Sequence, residues 1–322
     1  MNAPNTAVIL VNQGAPTSLD PGAIKQFLRQ YFSDTRLVDI PVAIWWLLLR
    51  LFILPWRSGE VLRAYKRIWT DQGSPLLAIS QRQQQALQEK LSDLAVVAVM
   101  MRYGEPSFSK VINQLLNDGV NRWIILPLYP QHSAISTASC FDHLADMLRD
   151  CSDLPSISFI NNYHGDPGYI HALANSIQDH WKLQKRQRFL LMSFHGLAQH
   201  HVDRGDPYYD QCMGTAHLLA TILGLGHDQW AMSFQSGFGP RNDLQPDTSA
   251  LLAAMADKGL KEVDVICPGF ATDCLETLEH IQIQNRDIFI QHGGEQYLYI
   301  PCLNDRDDHI EMMADLVKPY LA

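Results

Sequence analysis

Two residues far apart in the chain have side chains suited to chemistry. His195 closes the run Phe189-Leu190-Leu191-Met192-Ser193-Phe194-His195-Gly196, an apolar stretch followed by an imidazole and a glycine. A buried strand ends this way when its last side chain must reach into a crevice. Glu276 follows a second run of the same form, Val263-Asp264-Val265-Ile266-Cys267-Pro268-Gly269-Phe270, within Asp273-Cys274-Leu275-Glu276-Thr277-Leu278-Glu279. A neutral imidazole and a carboxylate make a sparse ligand set for a borderline divalent metal. They also make a proton-accepting pair. The bland alternative is a satisfied core histidine, with Asp273 capping a helix and Glu276 completing a capping box. For a lone histidine the bland reading usually wins; the strand-end position and Gly196 bring the functional reading level with it, and both stay open here. Glu276 and Glu279 share a helix face, and Asp273, Glu276 and His280 fall at i, i+3 and i+7. Such a column is able to pass protons or metal inward.

Arg102-Tyr103-Gly104 follow a third apolar run that ends at Met101. A guanidinium and a phenol there suit a carboxylate-bearing ligand; an arginine paired with any nearby acid is the alternative. Gly205-Asp206-Pro207-Tyr208 reads as a turn into a helix. His200 and His201 are adjacent and read as solvated. There is no Gly-x-x-x-x-Gly-Lys phosphate loop and no Gly-x-Ser-x-Gly elbow, and Gly224-x-Gly226 lacks the strand–helix context of a dinucleotide motif.

The elements that must carry these residues are short strands alternating with longer amphipathic stretches. Strands are expected at 7–11, 95–101, 123–128, 156–160, 189–193, 230–234, 263–267 and 296–300. Helices are expected to open at Asp20-Pro21 and to cover 133–148, 167–181, 248–258, 273–284 and 307–321. The alternation predicts an α/β protein with mostly parallel sheets, where ligands sit beyond the carboxyl ends of the strands. The halves resemble each other: Val8-Ile9-Leu10-Val11-Asn12-Gln13-Gly14 parallels the run ending at His195-Gly196. Ile125 to Ser133 likewise parallels Ile266 to Cys274. Two similar doubly wound domains are expected, with four-stranded parallel sheets. They divide as 1–165 and 166–322, with Gln13 across a cleft from His195 and the last helix packing back on the first domain.

The chain has 322 residues with 34 acids against 25 bases, a formal net charge of -9. That balance, without a Lys/Arg cluster, argues against nucleic-acid binding. Six cysteines are scattered without a Cys-x-x-Cys pair, so neither a disulfide framework nor a cysteine-bound cluster is expected, and a reducing cytoplasm fits. No signal peptide is expected at the start. Residues 42–56 are strongly apolar but too short to span a bilayer, which takes about 20 residues, and Arg50 interrupts them. They read either as a buried helix or as an exposed lip for a flat greasy ligand or a membrane surface. Trp45, Trp46 and Trp56 near the two ends favour the lip.

Taken together, these segments resemble the ferrochelatase family, enzymes that insert ferrous iron into protoporphyrin in the last step of haem synthesis. The resemblance rests on Val11-Asn12-Gln13-Gly14-Ala15-Pro16, Ile68 to Leu76, Met101-Arg102-Tyr103-Gly104-Glu105-Pro106 and Leu126-Pro127-Leu128-Tyr129-Pro130-Gln131. It continues through Ser193-Phe194-His195-Gly196, Gly205-Asp206-Pro207-Tyr208, Phe234-Gln235-Ser236, Pro268 to Glu279 and Tyr299 to Asp305. It implies a chelatase-like fold of two Rossmann-like domains, with His195 and Glu276 as the catalytic and iron-binding pair. It implies a porphyrin site drawing on Gln13, Trp45, Trp46, Arg102, Tyr103 and Phe270, and an ion or proton path through Asp273 and Glu279. The substrates are then protoporphyrin IX and Fe²⁺, with no tightly bound cofactor and no iron–sulfur cluster. A monomer is expected, lying in the cytoplasm with peripheral contact at the inner face of the membrane through 42–56. Gln13, His132, Gly237 and Asp243 depart from the family pattern and mark a divergent member; they bear on the preferred tetrapyrrole and metal and leave His195 and Glu276 in place. The competing class is a non-catalytic porphyrin, haem or metal carrier on the same fold, and a cobalt chelatase is a third option.

Overall fold

A computed structural model describes residues 4–38, 42–185, 188–235 and 243–321. The chain divides into two compact units: residues 1–128, 134–161 and 313–322 form the first, and residues 129–133 and 162–312 the second.

The first unit holds a four-stranded sheet of β1 (Thr6–Asn12), β2 (Val96–Met101), β3 (Arg122–Pro127) and β4 (Ser156–Phe159), in the order β2-β1-β3-β4. All pairings are parallel, from Ala7 against Val96 and Thr6 against Arg122 to Arg122 against Ser156. β1 reads TAVILVN and is buried along its whole length. An uninterrupted apolar run of that kind is what a central parallel strand needs, because helices cover both of its faces. β4 (SISF) is short and half exposed, as an edge strand should be. The helix Pro21–Phe32 opens on Asp20, whose carboxylate accepts from the Gly22 and Ala23 N–H groups, with proline at its first position. At the other terminus, Arg122 Nη2 donates to the Tyr320 carbonyl at 3.1 Å, tying the last residues to β3.

The second unit repeats the plan with β5 (Phe189–Phe194), β6 (Trp230–Phe234), β7 (Glu262–Ile266) and β8 (Gln296–Ile300), in the order β6-β5-β7-β8 and again all parallel. Its core gathers Leu191, Val263, Val265, Ile281, Phe289 and Tyr297. The eight strands fall where the sequence places them, within a residue or two.

One helical segment differs from expectation, and a second decides between two open readings. Residues 273–284 were expected as an ordinary helix; instead Glu276–Asn285 is a π-helix, continued by the α-helix Arg286–Gln291. Bonds in a π-helix run from i to i+5, so the i, i+3, i+7 column of Asp273, Glu276 and His280 does not form. Asp273 is not a helix cap either, because its carboxylate is engaged elsewhere. The second case is the apolar 42–56 segment, which is helical throughout: α-helix Val42–Leu48, π-helix Leu49–Ile53, then α-helix Leu54–Ile68. It is not a buried helix. Trp46, Phe52 and Trp56 are 53%, 65% and 74% exposed.

Candidate active site

In a doubly wound sheet, the strand order reverses where the connections of two adjacent parallel strands lead to opposite sides, and ligands bind outside the carboxyl ends there. In the second unit this point lies between β5 and β7. His195 is the first residue past β5 and only partly buried. Past β7, Cys267-Pro268-Gly269 turn the chain, and Phe270 brings its ring to 6.1 Å from the His195 imidazole, centroid to centroid. Two buried tyrosines hold the carbonyls of these two turns. Tyr208 Oη donates to the His195 carbonyl at 3.1 Å, and Tyr169 Oη donates to the Pro268 carbonyl. Burial pushes both phenols well above their ordinary pKa, so they stay donors at working pH. Gln131 reaches the same turn: a Cβ on Gly269 would lie 3.5 Å from its Oε1. Its amide nitrogen is fixed by the Thr215 hydroxyl at 3.0 Å.

The His195 ring has a defined tautomer. Nδ1 lies 2.7 Å from the Gly196 carbonyl oxygen. A carbonyl only accepts, so Nδ1 carries the proton and Nε2 carries the lone pair. Among the described residues Nε2 has no hydrogen-bond partner. That is the arrangement of a base or metal ligand whose second nitrogen is oriented by its support.

Glu276 opens the π-helix and is partly buried. Its carboxylate meets the Cys274 thiol, which burial first and Glu276 second push well above the usual thiol range. His195 and Glu276 thus stand past the carboxyl ends of two adjacent strands of one sheet, without a hydrogen bond to each other among the described residues. Glu279 is buried, accepts from Gln284 Nε2 at 2.7 Å and lies 3.6 Å from His280 Nε2. Asp273 is buried and accepts from Tyr299, Asn304 and Thr277 side chains. Among the described residues no three His, Cys, Asp or Glu side chains gather closely enough to hold a metal ion.

The remaining residues lie in the first unit. Gln13 follows β1, with its N–H on Asn12 Oδ1 at 2.8 Å and its carbonyl accepting from Tyr103 N–H at 2.9 Å. Its side-chain amide makes no hydrogen bond among the described residues. Arg102 and Tyr103 follow β2 and turn to a buried acid: Arg102 Nη2 and Tyr103 Oη each donate to Asp34 Oδ2 at 2.7 Å. Arg102 Nε donates to Ser139 Oγ at 2.8 Å, and Ser139 also meets Asp34. Burial alone would raise the Asp34 carboxyl, but Ser139, Arg102 and Tyr103 together hold it below the ordinary carboxylate value. Of the two sequence readings of Arg102, the ion pair is therefore present, with Asp34 as the acid. Trp45 Nε1 donates to the Phe32 carbonyl at 2.5 Å, whereas Trp46 is exposed beneath the Arg50 guanidinium, 4.6 Å from its ring centroid. Of the departures from the family pattern, His132 donates its backbone N–H to Gln211 Oε1 at 2.7 Å and Asp243 bridges to Ala198; Gly237 lies outside the described residues.

The sequence alone does not single out Asp34, Ser139, Tyr169 or Thr215, and it offers Tyr299 and Asn304 only as part of a stretch that carries the family resemblance. Tyr208 was quoted only as part of a turn; Asp206 does make that turn, accepting from Tyr208 N–H at 3.0 Å. The signal available for Tyr169 and Tyr208 is their placement in the first turn of a helix, which spacing alone does not resolve.

Residues 5–321 match the ferrochelatase family. The ferrochelatase of Aeromonas hydrophila subsp. hydrophila is 47% identical over 320 residues, covering 98% of this chain and 99% of that protein. "Ferrochelatase 2" of Shewanella oneidensis is 44% identical, covering 98% and 97%. Among solved structures, SirB from Bacillus subtilis with Fe³⁺ aligns at a TM-score of 0.55 and 10% identity, covering 98% of this chain and 96% of that one. CbiX, described as the terminal enzyme of sirohaem biosynthesis in denitrifying bacteria, aligns at 0.53 and 14%, covering 98% and 100%. At such identities these structures speak for the chelatase-like fold alone. The relatives at 44% and 47% carry more, and with a family match that leaves only the first four residues and the last one outside it, the chain belongs to the ferrochelatase family.

Proposed function

We propose that this chain is a lyase that inserts Fe²⁺ into protoporphyrin IX, giving protohaem and two protons. The observation that carries the reading is the His195 imidazole, whose Nδ1–H is spent on Gly196 while Nε2 is left with its lone pair at the sheet's switch point. Metal insertion requires two pyrrole N–H protons to leave and a hydrated cation to shed water. His195 Nε2 accepts one of those protons, passes it to water, and is then free to accept the second, while the Phe270 ring beside it packs against the macrocycle. Glu276 takes the iron as it loses water. A site complementary to a bent macrocycle, which exposes its nitrogen lone pairs, lowers the barrier further. Arg102, aimed by Asp34 and Ser139, offers its remaining N–H groups to a propionate, and the Tyr103 ring supports it. Gln13, Trp45 and Trp46 complete the porphyrin contacts. Glu279 beside His280 belongs to the path for ions or protons, with Asp273 as its fixed charge. Iron is a substrate in this scheme, and no resident cofactor takes part.

The exposed face of 42–56, with Ile44, Trp46, Leu51, Phe52 and Trp56 all more than half exposed, is the porphyrin lip. It also rests on the inner face of the cytoplasmic membrane as an interfacial helix. No helix among the described residues is long and apolar enough to cross a membrane. A single chain suffices for this chemistry.

Anaerobic mixing of the protein with protoporphyrin and Fe²⁺ tests the reading, followed by loss of porphyrin fluorescence and appearance of the haem spectrum. Catalytic loss over many turnovers is expected. Tight porphyrin binding with no loss would leave a carrier instead.

A further inference from the structure

Beyond His195 and Glu276, the second unit contains a buried polar assembly around Asp273, and the scheme above uses only that residue's charge and none of the groups that hold it. Its centre is the Asp273 carboxylate. Asn304 grips Asp273 at two points, one on its backbone and one on its carboxylate: Asp273 N–H donates to Asn304 Oδ1 at 2.8 Å, and Asn304 Nδ2 donates to Asp273 Oδ2 at 2.7 Å. Asp273 Oδ1 accepts from Tyr299 Oη at 2.5 Å, Thr277 Oγ1 at 3.1 Å and Cys302 N–H at 3.4 Å. The Thr277 hydroxyl accepts from Cys274 N–H at 2.9 Å. Thr277 and Cys274 bracket Glu276 in the chain, so this chain of bonds fixes the turn from which Glu276 projects.

Asn304 is itself held. Its backbone is left-handed, with φ +49°, a conformation asparagine adopts more readily than most residues. Its N–H donates to the Ala271 carbonyl at 3.2 Å, and its own carbonyl accepts from His309 Nδ1 at 2.7 Å. His309 is fully buried. A π-helix is a rare and costly geometry that surrounding contacts must over-determine, and this assembly sits at its first turn.

We propose that Asn304 is a positioning residue for Glu276: by clamping the Asp273 carboxylate it fixes, through Thr277, the first turn of the π-helix that presents Glu276 to the metal. The proposal rests on the role given to Glu276 above. Asn304 touches neither iron nor porphyrin.

The titratable neighbours of Asp273 leave a clean window for a test. Tyr299, Cys302, Cys267 and Cys274 are all pushed well above their ordinary values, by burial first and with Asp273's negative charge contributing, and so stay protonated. Burial holds His309 down at about 4, so it stays neutral above pH 5.

The experiment is Asn304→Asp, which sets a second carboxyl against Asp273. Two such carboxyls share one proton: the singly protonated pair restores a donor, and the doubly ionised pair repels. Iron-insertion kcat is measured from pH 5.5 to 8.5 as a ratio to wild type, with KM for protoporphyrin and a thermal melt at each pH. At pH 8 the ratio should fall at least about tenfold, then climb toward one as the pH drops to about 6, with KM within about twofold. Tyr299→Phe removes one donor without adding charge and should lower kcat about threefold with no pH trend in the ratio. A flat ratio for Asn304→Asp, or a loss confined to KM, overturns the proposal. Should Asn304→Asp not fold, Tyr299→Phe decides alone, and wild-type kcat in it is the overturning result. Glu276→Gln run in parallel separates the two readings. If it is impaired while Asn304→Asp tracks wild type, only the clamp fails; if it turns over normally, the role of Glu276 fails and takes the clamp with it.

Discussion

The two sheets have the same strand order and are both all parallel, yet the strand ends that carry polar residues differ. Past β1 and β2, the polar groups close on one another: Arg102, Tyr103 and Ser139 converge on Asp34, and Asn12 Nδ2 bonds Ser80 Oγ at 3.1 Å. Past β5 and β7, the backbone carbonyls are capped by Tyr208 and Tyr169, and the His195 side chain keeps one nitrogen unpaired among the described residues. The same topology thus supports one strand-end cluster whose polar groups are largely spent on one another, Arg102 keeping only its remaining N–H groups, and another that is held rigid but left reactive. Fold alone does not assign chemistry; the residual unspent donor or acceptor does.

That contrast can be broken most decisively at His195. His195→Ala removes an acceptor that supports nothing else in the protein, so kcat should drop at least about 100-fold while the thermal melt barely moves. Near-normal turnover in that variant would erase the distinction. Asp34→Ala should behave in the opposite way. It leaves the largely buried Arg102 unpaired, a loss of about 3–5 kcal/mol in stability measured by denaturant unfolding, with turnover per folded molecule affected far less than in His195→Ala.

Acid sharpens the same comparison. His309 in the second unit is held at about 4. The unfolded chain therefore takes up a proton at pH 6.5 that the folded protein refuses, and stability falls as pH drops from about 6.5 to about 4, by up to about 3 kcal/mol. Asp34 in the first unit has a lowered value, so its contribution persists above the ordinary carboxylate range and is lost only as pH falls through its depressed folded value. The second unit should loosen first on acidification, seen as earlier amide exchange in 162–312, and His309→Gln should flatten that dependence. The smallest effect belongs to Gln13→Leu. Its amide has no partner to lose, so stability should stay within about 0.5 kcal/mol, and KM for porphyrin should shift by no more than about fivefold if the side chain lines the ring.

Much of this architecture was readable before any coordinates. The central strands were legible because they are buried apolar runs bounded by turn residues, and His195 was legible because it terminates one. The π-helix was not: over ten residues, one extra residue per turn leaves an apolar pattern that a 3.6-residue period fits nearly as well. Asp273 looked like a cap because its immediate neighbours allow that reading. Its true partners, Tyr299, Cys302 and Asn304, come from β8 and the loop after it, which no local window contains. Arg102 was ambiguous for the same reason, its acid lying 68 positions upstream. The exposure of Trp46, Phe52 and Trp56 was a matter of which face the rest of the unit covers, and composition is silent on that.

The wide turns of Glu276–Asn285 also make this part of the chain adjustable in length. Deleting one residue near Gln282 would let the segment rewind toward α-geometry, and the mismatch would be absorbed as a rotation of side chains between two anchors, the Thr277 turn and the α-helix at Arg286. The sheet need not move. A length change that would wreck a strand becomes, in this segment, a dial that re-aims Glu279 and His280 while Glu276 stays put.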